Sequence, residues 1–220
     1  MTRPAQIERL EPRRLLAAQA PGWSDTINNP YFPLLVGSSY VYTGSSDGEP
    51  EIDRVVVTDT TKVIQGVTTT VVLDRVYING ELAEKTYDHY AQDKAGNVWY
   101  FGEDSREIEN GKVVSREGSW EAGVNGARPG IVMQAIPGVG DSYHQEDAAG
   151  VAEDQATVIA LSATADTPFA TFRNCQETQE FSALDPGSLE DKFYAAGIGL
   201  VKSQAVSGEM EILKLVEYTA

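Results

Sequence analysis

Residues 67–122 read VTTTVVLDRVYINGELAEKTYDHYAQDKAGNVWYFGEDSREIENGKVVSREGSWEA, and the punctuation of this stretch decides the fold. Asn79-Gly80 and Asn110-Gly111 each interrupt runs containing Val, Thr and Tyr. An Asn-Gly pair is the strongest short hairpin signal. A two-residue turn that matches the twist of its strands puts both central residues at positive φ, where these two residue types are least penalised. Ala95-Gly96 supplies a further reversal between them. Three consecutive hairpins predict an antiparallel meander of four long strands, at 67–78, 82–93, 97–109 and 112–122.

The pattern extends both ways from this meander. Upstream, Tyr40-Val41-Tyr42 opens a strand, Asp47-Gly48 turns it into a run at 52–60, and Gly66 separates 62–65 from the meander. Downstream, residues 123–140 are rich in Gly and Pro yet apolar at Ile131, Val132, Met133 and Ile136, which reads as an irregular crossing. Further strands are expected near 141–147, 152–161, 169–180, 189–195, 200–206 and 210–218, with turns at Asp185-Pro186-Gly187 and Ser207-Gly208. The expectation is an all-β chain with very little helix, an antiparallel meander of about ten strands forming a barrel or a sandwich.

The chain has 220 residues, enough for one ordinary domain, with 17 basic against 33 acidic side chains and a net charge of −16. Such a balance repels nucleic-acid phosphates and anionic membrane surfaces, keeps an extracellular protein soluble, and attracts divalent or polyamine cations. Neither a nucleic-acid partner nor membrane insertion is expected, since no apolar run approaches the ~18 residues of a spanning helix. The single cysteine, Cys175, has no intramolecular disulfide partner and no histidine nearby in sequence; it reads as a strand thiol. The oligomeric state is left open.

Leu10-Glu11-Pro12-Arg13-Arg14-Leu15-Leu16-Ala17 resembles the LEPR-XLL segment near the N-terminus of planctomycete surface and exported proteins, with Ala17 where that family more often has Ser. The resemblance implies export, to the periplasm or the cell surface. It divides the chain into a sorting segment, 1–28, expected to be disordered, and a single β domain, 29–220. That domain resembles a family of exported bacterial β domains. The resemblance rests on Tyr90-Ala91-Gln92-Asp93, on Gly96-Asn97-Val98-Trp99-Tyr100-Phe101-Gly102-Glu103, on Ser119-Trp120-Glu121-Ala122-Gly123 and on Phe193-Tyr194-Ala195-Ala196-Gly197-Ile198-Gly199-Leu200-Val201. It implies a β fold and no particular activity.

The turns also set a register. With Ala95-Gly96 as a two-residue loop, Tyr90 faces Phe101, Gln92 faces Trp99 and Asp88 faces Glu103; with Asn110-Gly111 as the next, Phe101 faces Trp120. Side chains alternate along strands, so one face carries Tyr90, Phe101 and Trp120, flanked by Trp99 and Gln92. Such a row is either plain core, since cross-strand aromatic pairs stabilise sheets, or a platform inside an open barrel for a flat or apolar ligand. Asp88 opposite Glu103 is destabilising unless a bulge shifts the register, the pair faces water, or a cation lies between them. Together with Glu153 and Asp154 these two are the candidate metal ligands. Oxygen-rich clusters suit calcium better than zinc, the spacing is not that of an EF-hand, and a solvated acidic face is the alternative.

No serine elbow, Gly-rich phosphate loop or Cys-x-x-Cys pair is read in the chain, and nothing in sequence brings His89 and His144 together. That leaves three readings. The first is a non-enzymatic binding domain for a small apolar or aromatic ligand or a protein partner, without a cofactor and without catalytic residues. The second is a calcium-stabilised structural or adhesion module. The third is a carboxylate-based polysaccharide hydrolase or lyase, which needs two acids about 5–9 Å apart across an open groove.

Overall fold

The computed structural model describes residues 22–208 and 210–220. The sorting-segment resemblance at 10–17 lies outside the described residues. A short hairpin, β1 (Ile27–Asn29) with β2 (Phe32–Leu34), precedes a meander of β3 (Ser39–Ser46), β4 (Glu49–Ile64), β5 (Val67–Ile78), β6 (Glu81–Gln92) and β7 (Val98–Asp104). Four turns, Asp47-Gly48, Gln65-Gly66, Asn79-Gly80 and Asn110-Gly111, have both residues at positive φ, as a twist-matched two-residue hairpin requires. Short strands β8 (Glu107–Glu109), β9 (Lys112–Ser115) and β10 (Trp120–Glu121) lead to β11 (Arg128–Met133). After β12 (Ser142–His144) and β13 (Glu146–Asp147) comes a second meander. It comprises β14 (Asp154–Asp166), β15 (Thr171–Ser182), β16 (Leu189–Ala195), β17 (Gly199–Ser207) and β18 (Glu211–Thr219).

The two meanders join in one antiparallel sheet, because β18 pairs along β3. The path runs from β14 through β18, then from β3 to β7, and on to β11. Its two ends meet on one short stretch of chain: β12 pairs with β14, and β13 pairs with β11. The sheet is nearly closed into a barrel, which decides between the two architectures that the strand pattern allows.

Three expectations need correcting. The Gly/Pro-rich stretch 123–140 is not simply a crossing; it holds β11, whose Gly130 and Ile131 pair with Tyr100 and Trp99. Gly130 is what admits it, since a Cβ there would sit 2.2 Å from the Gln145 carbonyl oxygen on the other side. The strand expected at 112–122 is broken by a turn into β9 and β10. The domain boundary at 28/29 falls inside β1. Trp23 packs edge-on against Phe101, with ring centroids 5.3 Å apart, and Ile27 is buried in the core, so the folded unit includes residues before 29.

The register differs from expectation in an instructive way. The Asp93–Asn97 loop is longer than two residues, held by Asp93 N–H to the Asn97 carbonyl and by Asn97 N–H to Asp93 Oδ1. Tyr90 therefore pairs with Tyr100, not Phe101, and Ala91 pairs with Trp99. A bulge at Phe101-Gly102 then adds one residue to β7 and restores Asp88 opposite Glu103. Gly102, at φ 130°, lies so close to β10 that a Cβ would be 2.3 Å from the Trp120 carbonyl oxygen. Trp120 pairs with Glu103.

Apolar packing collects in two clusters. One surrounds Phe101, Met133, Val98 and Ile64; the other surrounds Leu215, Val57, Val201 and the thiol of Cys175. The β1–β2 hairpin plugs one end of the barrel, where Phe32 packs on Tyr90 and Tyr194 at 5.4 and 6.3 Å.

Candidate functional site

Alternation along the strands turns one set of side chains into the barrel, and they line a cavity of about 280 Å3. Its plugged end is aromatic and aliphatic, with Phe32, Leu34, Tyr40, Tyr90, Tyr194 and Leu200. Tyr90 and Tyr100 stack with centroids 4.7 Å apart, and Trp120 meets Tyr100 edge-on at 5.5 Å. Carboxyls also reach the cavity: Asp53 from β4, Asp74 from β5, Asp88 from β6, Glu146 from β13, Asp154 from β14 and Glu180 from β15. Lys192 from β16 is the one cationic side chain among the described residues of its lining. A second pocket of about 240 Å3 shares Asp154, Glu180 and Lys192 with the first and adds Asp185, Glu190 and Glu211.

Lys192 is already paired, with Nζ 3.0 Å from Glu180 Oε2 and 3.2 Å from Glu190 Oε2. Glu180 also accepts hydrogen bonds from the Thr178 and Tyr194 hydroxyls. Burial opposes the charge on Lys192, but the two glutamates outweigh it and raise its pKa. Among the described residues Asp53, Asp74, Asp88, Glu146 and Asp154 form no ion pair. Burial pushes Asp53 up to about 6, partly offset by its hydrogen bond with Asp74. Burial, then Asp53, raises Asp74 in turn. Asp53 Oδ1 and Asp74 Oδ1 are both buried and without a hydrogen-bond partner among the described residues.

Asp88 and Glu103 meet through Tyr100, whose hydroxyl oxygen lies 2.5 Å from Asp88 Oδ1 and 2.7 Å from Glu103 Oε2. A tyrosine hydroxyl has one hydrogen. It can donate to one carboxyl and accept from the other, so one of the two acids carries a proton. Burial drives this: it pushes Glu103 up to about 7, with Tyr100 opposing and Glu84, Asp154 and Asp74 adding. It also raises Asp88, assisted by Asp74. Glu146, which accepts from Trp120 Nε1 at 3.2 Å, is pushed up to about 8 by burial and then by Glu103. The cross-strand acid pair is thus relieved by a shared proton and a bridging hydroxyl, a solution the sequence reading did not weigh.

Of the five aromatic and polar residues expected to bind a ligand, Tyr90 lines the cavity. Trp120 stands one layer behind, against Tyr100 and Glu146. Trp99 and Phe101 point to the other face of β7, where Trp99 donates to Asp93 Oδ2 and Phe101 is 1% exposed in the core. Gln92 holds the plug: its Oε1 accepts from Asn28 N–H and Asn29 N–H at 2.8 Å each. Of the four expected metal ligands, Asp88 and Glu103 adjoin, Asp154 lines the cavity, and Glu153 lies in a turn accepting from Gly150 N–H. Among the described residues no group of three or more His, Cys, Asp or Glu converges to hold a metal ion. His89 sits beside Lys62, while His144 is exposed on β12.

Sequence reasoning missed Tyr40, Tyr42, Tyr194, Asp53, Asp74 and Lys192. One signal was available: a two-residue turn at Asp47-Gly48 sets Tyr42 opposite Asp53, as observed. A Gly-x-Ser-x-Gly spacing does occur, at Gly44-Ser45-Ser46-Asp47-Gly48. It crosses the β3–β4 hairpin turn and is followed by a strand, whereas a serine elbow requires a strand-to-helix turn.

No family model matches the chain, and no curated protein matches it. Two solved structures match the chain. One is a Bacteroides fragilis protein assigned as exported and described as having a YmcC-like fold, with 15% identity and a TM-score of 0.51 over 86% of this chain and 99% of that one. The other, a Parabacteroides distasonis protein assigned as a lipoprotein, has 11% identity and a TM-score of 0.47 over 89% of this chain and 100% of that one. At these identities the first likeness establishes the fold.

Proposed function

We propose that this chain is an exported, non-enzymatic binding protein that houses a small molecule with an aromatic or apolar body inside its barrel. The observation that carries the reading is the cavity of about 280 Å3 walled by Tyr40, Tyr90, Tyr100, Tyr194 and Phe32. Ligand sites are typically concave, mostly apolar, and supplied with a few convergent polar groups. Export draws support from the resemblance at residues 10–17 and from the assignment of the Bacteroides fragilis protein as exported.

Isothermal titration with indole and with 2-phenylethanol tests the cavity. Binding is expected in the native protein and lost in Val55→Phe, which fills the cavity from β4. Circular dichroism and a cooperative melt check that the variant is folded. If neither probe binds the native protein, or if a folded Val55→Phe binds as well as the native chain, the reading is overturned.

A further inference from the structure

We propose that the occupant of the barrel is a protonated amine with an apolar body, its ammonium group received by Asp53 and Asp74 and its body lying on the tyrosines of the plugged end. This rests on the reading of the barrel as a binding cavity, and it names the chemistry of the ligand.

Three observations carry it. First, the polar groups reaching the cavity are overwhelmingly acceptors. Around Asp53 and Asp74 stand Glu51 on the same strand as Asp53, Glu84 and Asp88 from β6, Glu211 from β18 and the Tyr42 hydroxyl from β3. Lys192 is the only cation among the described residues of the lining, and it is already paired with Glu180 and Glu190. Secondly, Asp53, 7% exposed, and Asp74 both line the cavity, and each has a buried Oδ1 that no described residue hydrogen-bonds. A buried carboxylate oxygen without a donor is costly, and an N–H donor satisfies it directly. Thirdly, the neighbouring surface is made of tyrosine rings, which attract a cation lying over their faces within about 6 Å.

A divalent metal fits these residues poorly. Among the described residues the carboxyls do not converge on one point, as the six to eight oxygens of a calcium site would. An ammonium group needs only two or three acceptors, and the apolar walls suit the hydrocarbon attached to it. Burial holds Asp53 at about 6 and Asp74 above its ordinary value. An arriving cation favours their ionised forms, so binding releases protons near neutral pH and tightens as pH rises from 5 to 8.

The test is isothermal titration of the described domain's full chain at pH 7.5 with benzylamine, 2-phenylethylamine and hexylamine, each beside its alcohol. Each amine titration is run in phosphate and in Tris, whose differing ionisation heats reveal released protons. The expected result is at least tenfold tighter binding of an amine than of its alcohol. Proton release should accompany the amine only, and Asp53→Asn, nearly isosteric, should abolish the tenfold preference while leaving alcohol binding intact. Equal binding of amine and alcohol, or an unchanged preference in Asp53→Asn, overturns the charge inference and leaves the cavity reading standing. Alcohols and amines both failing to bind overturns the cavity reading itself. Calcium binding in place of amine binding overturns the inference in favour of a metal.

Discussion

Acidification from pH 8 to pH 5 should stabilise this protein, against the usual trend. Glu103 is held at about 7 in the fold by burial, against 4.5 when unfolded. Between those values the native state binds a proton that the unfolded state has released. Stability then falls as pH rises, by about 1.4 kcal/mol per pH unit for each such proton. For Glu103 alone the full difference is of order 3 kcal/mol, present at pH 4.5 and lost by about pH 8. Glu51 at about 7, Asp53 at about 6 and Glu146 at about 8, all raised first by burial, act in the same direction. Asp104, lowered by the hydrogen bond from Arg106, acts oppositely, and its contribution is lost only as pH falls below the ordinary carboxylate range. His89, lowered to about 4 by burial, also acts oppositely and loses stability as pH falls through 6.5, but one histidine is outweighed by the several raised carboxyls, so the maximum lies at about pH 4–5. Urea unfolding at pH 5, 6, 7 and 8 measures it: with slopes of about 1–3 kcal/mol per molar, Glu103 alone should lower the midpoint by roughly 1–3 M across the series. Glu103→Gln should flatten the profile and make the protein more stable than the native chain at pH 8. A midpoint that rises from pH 5 to 8, or a Glu103→Gln variant less stable than the native chain at pH 8, would refute the argument that the Tyr100 bridge holds a proton.

Lys192→Met should cost about 3–5 kcal/mol at pH 8, because it strands Glu180 and Glu190 without their cation. A loss below about 1 kcal/mol, the usual worth of an exposed pair, argues against the pairing. Gly102→Ala should cost at least about 2 kcal/mol, from a positive φ and a close approach to the Trp120 carbonyl, and should lower Tm by several degrees. A Tm within one degree of the native value would mean that the bulge is dispensable.

The sequence reading found the fold class because the signal for it is local. Asn79-Gly80 and Asn110-Gly111 need only their own backbone conformations to turn, and both are hairpin turns in the structure. The strands at 189–195 and 200–206 were legible for the same reason. Closure of the barrel was not, because it depends on β12 and β13 choosing partners that no turn connects to them.

The site was less legible than the fold, for a reason peculiar to sheets. A period of two tells which residues share a face but not which face is inside, and a one-residue slip exchanges the faces completely. The loop at Asp93–Asn97 produced that slip, moving Phe101 out of the aromatic row and Tyr100 into it. The bulge at Gly102 then cancelled it, so that Asp88 and Glu103 were paired correctly although the residues beside them were not. Gly102, inside a strand pattern, was the visible clue. Propagating the Asp47-Gly48 hairpin as well would have brought Asp53 opposite Tyr42, and with it the first acid of the cavity. Lys192 lies beyond such reasoning: its partners Glu180 and Glu190 belong to the second meander, and it shares a lining with the acids of β4 to β6 only because that meander completes the wall. A cavity assembled from both halves of the chain can be inferred from sequence only as far as the local hairpins reach, and here they reach the tyrosines and acids of β3 to β7 but not the second meander that completes the wall.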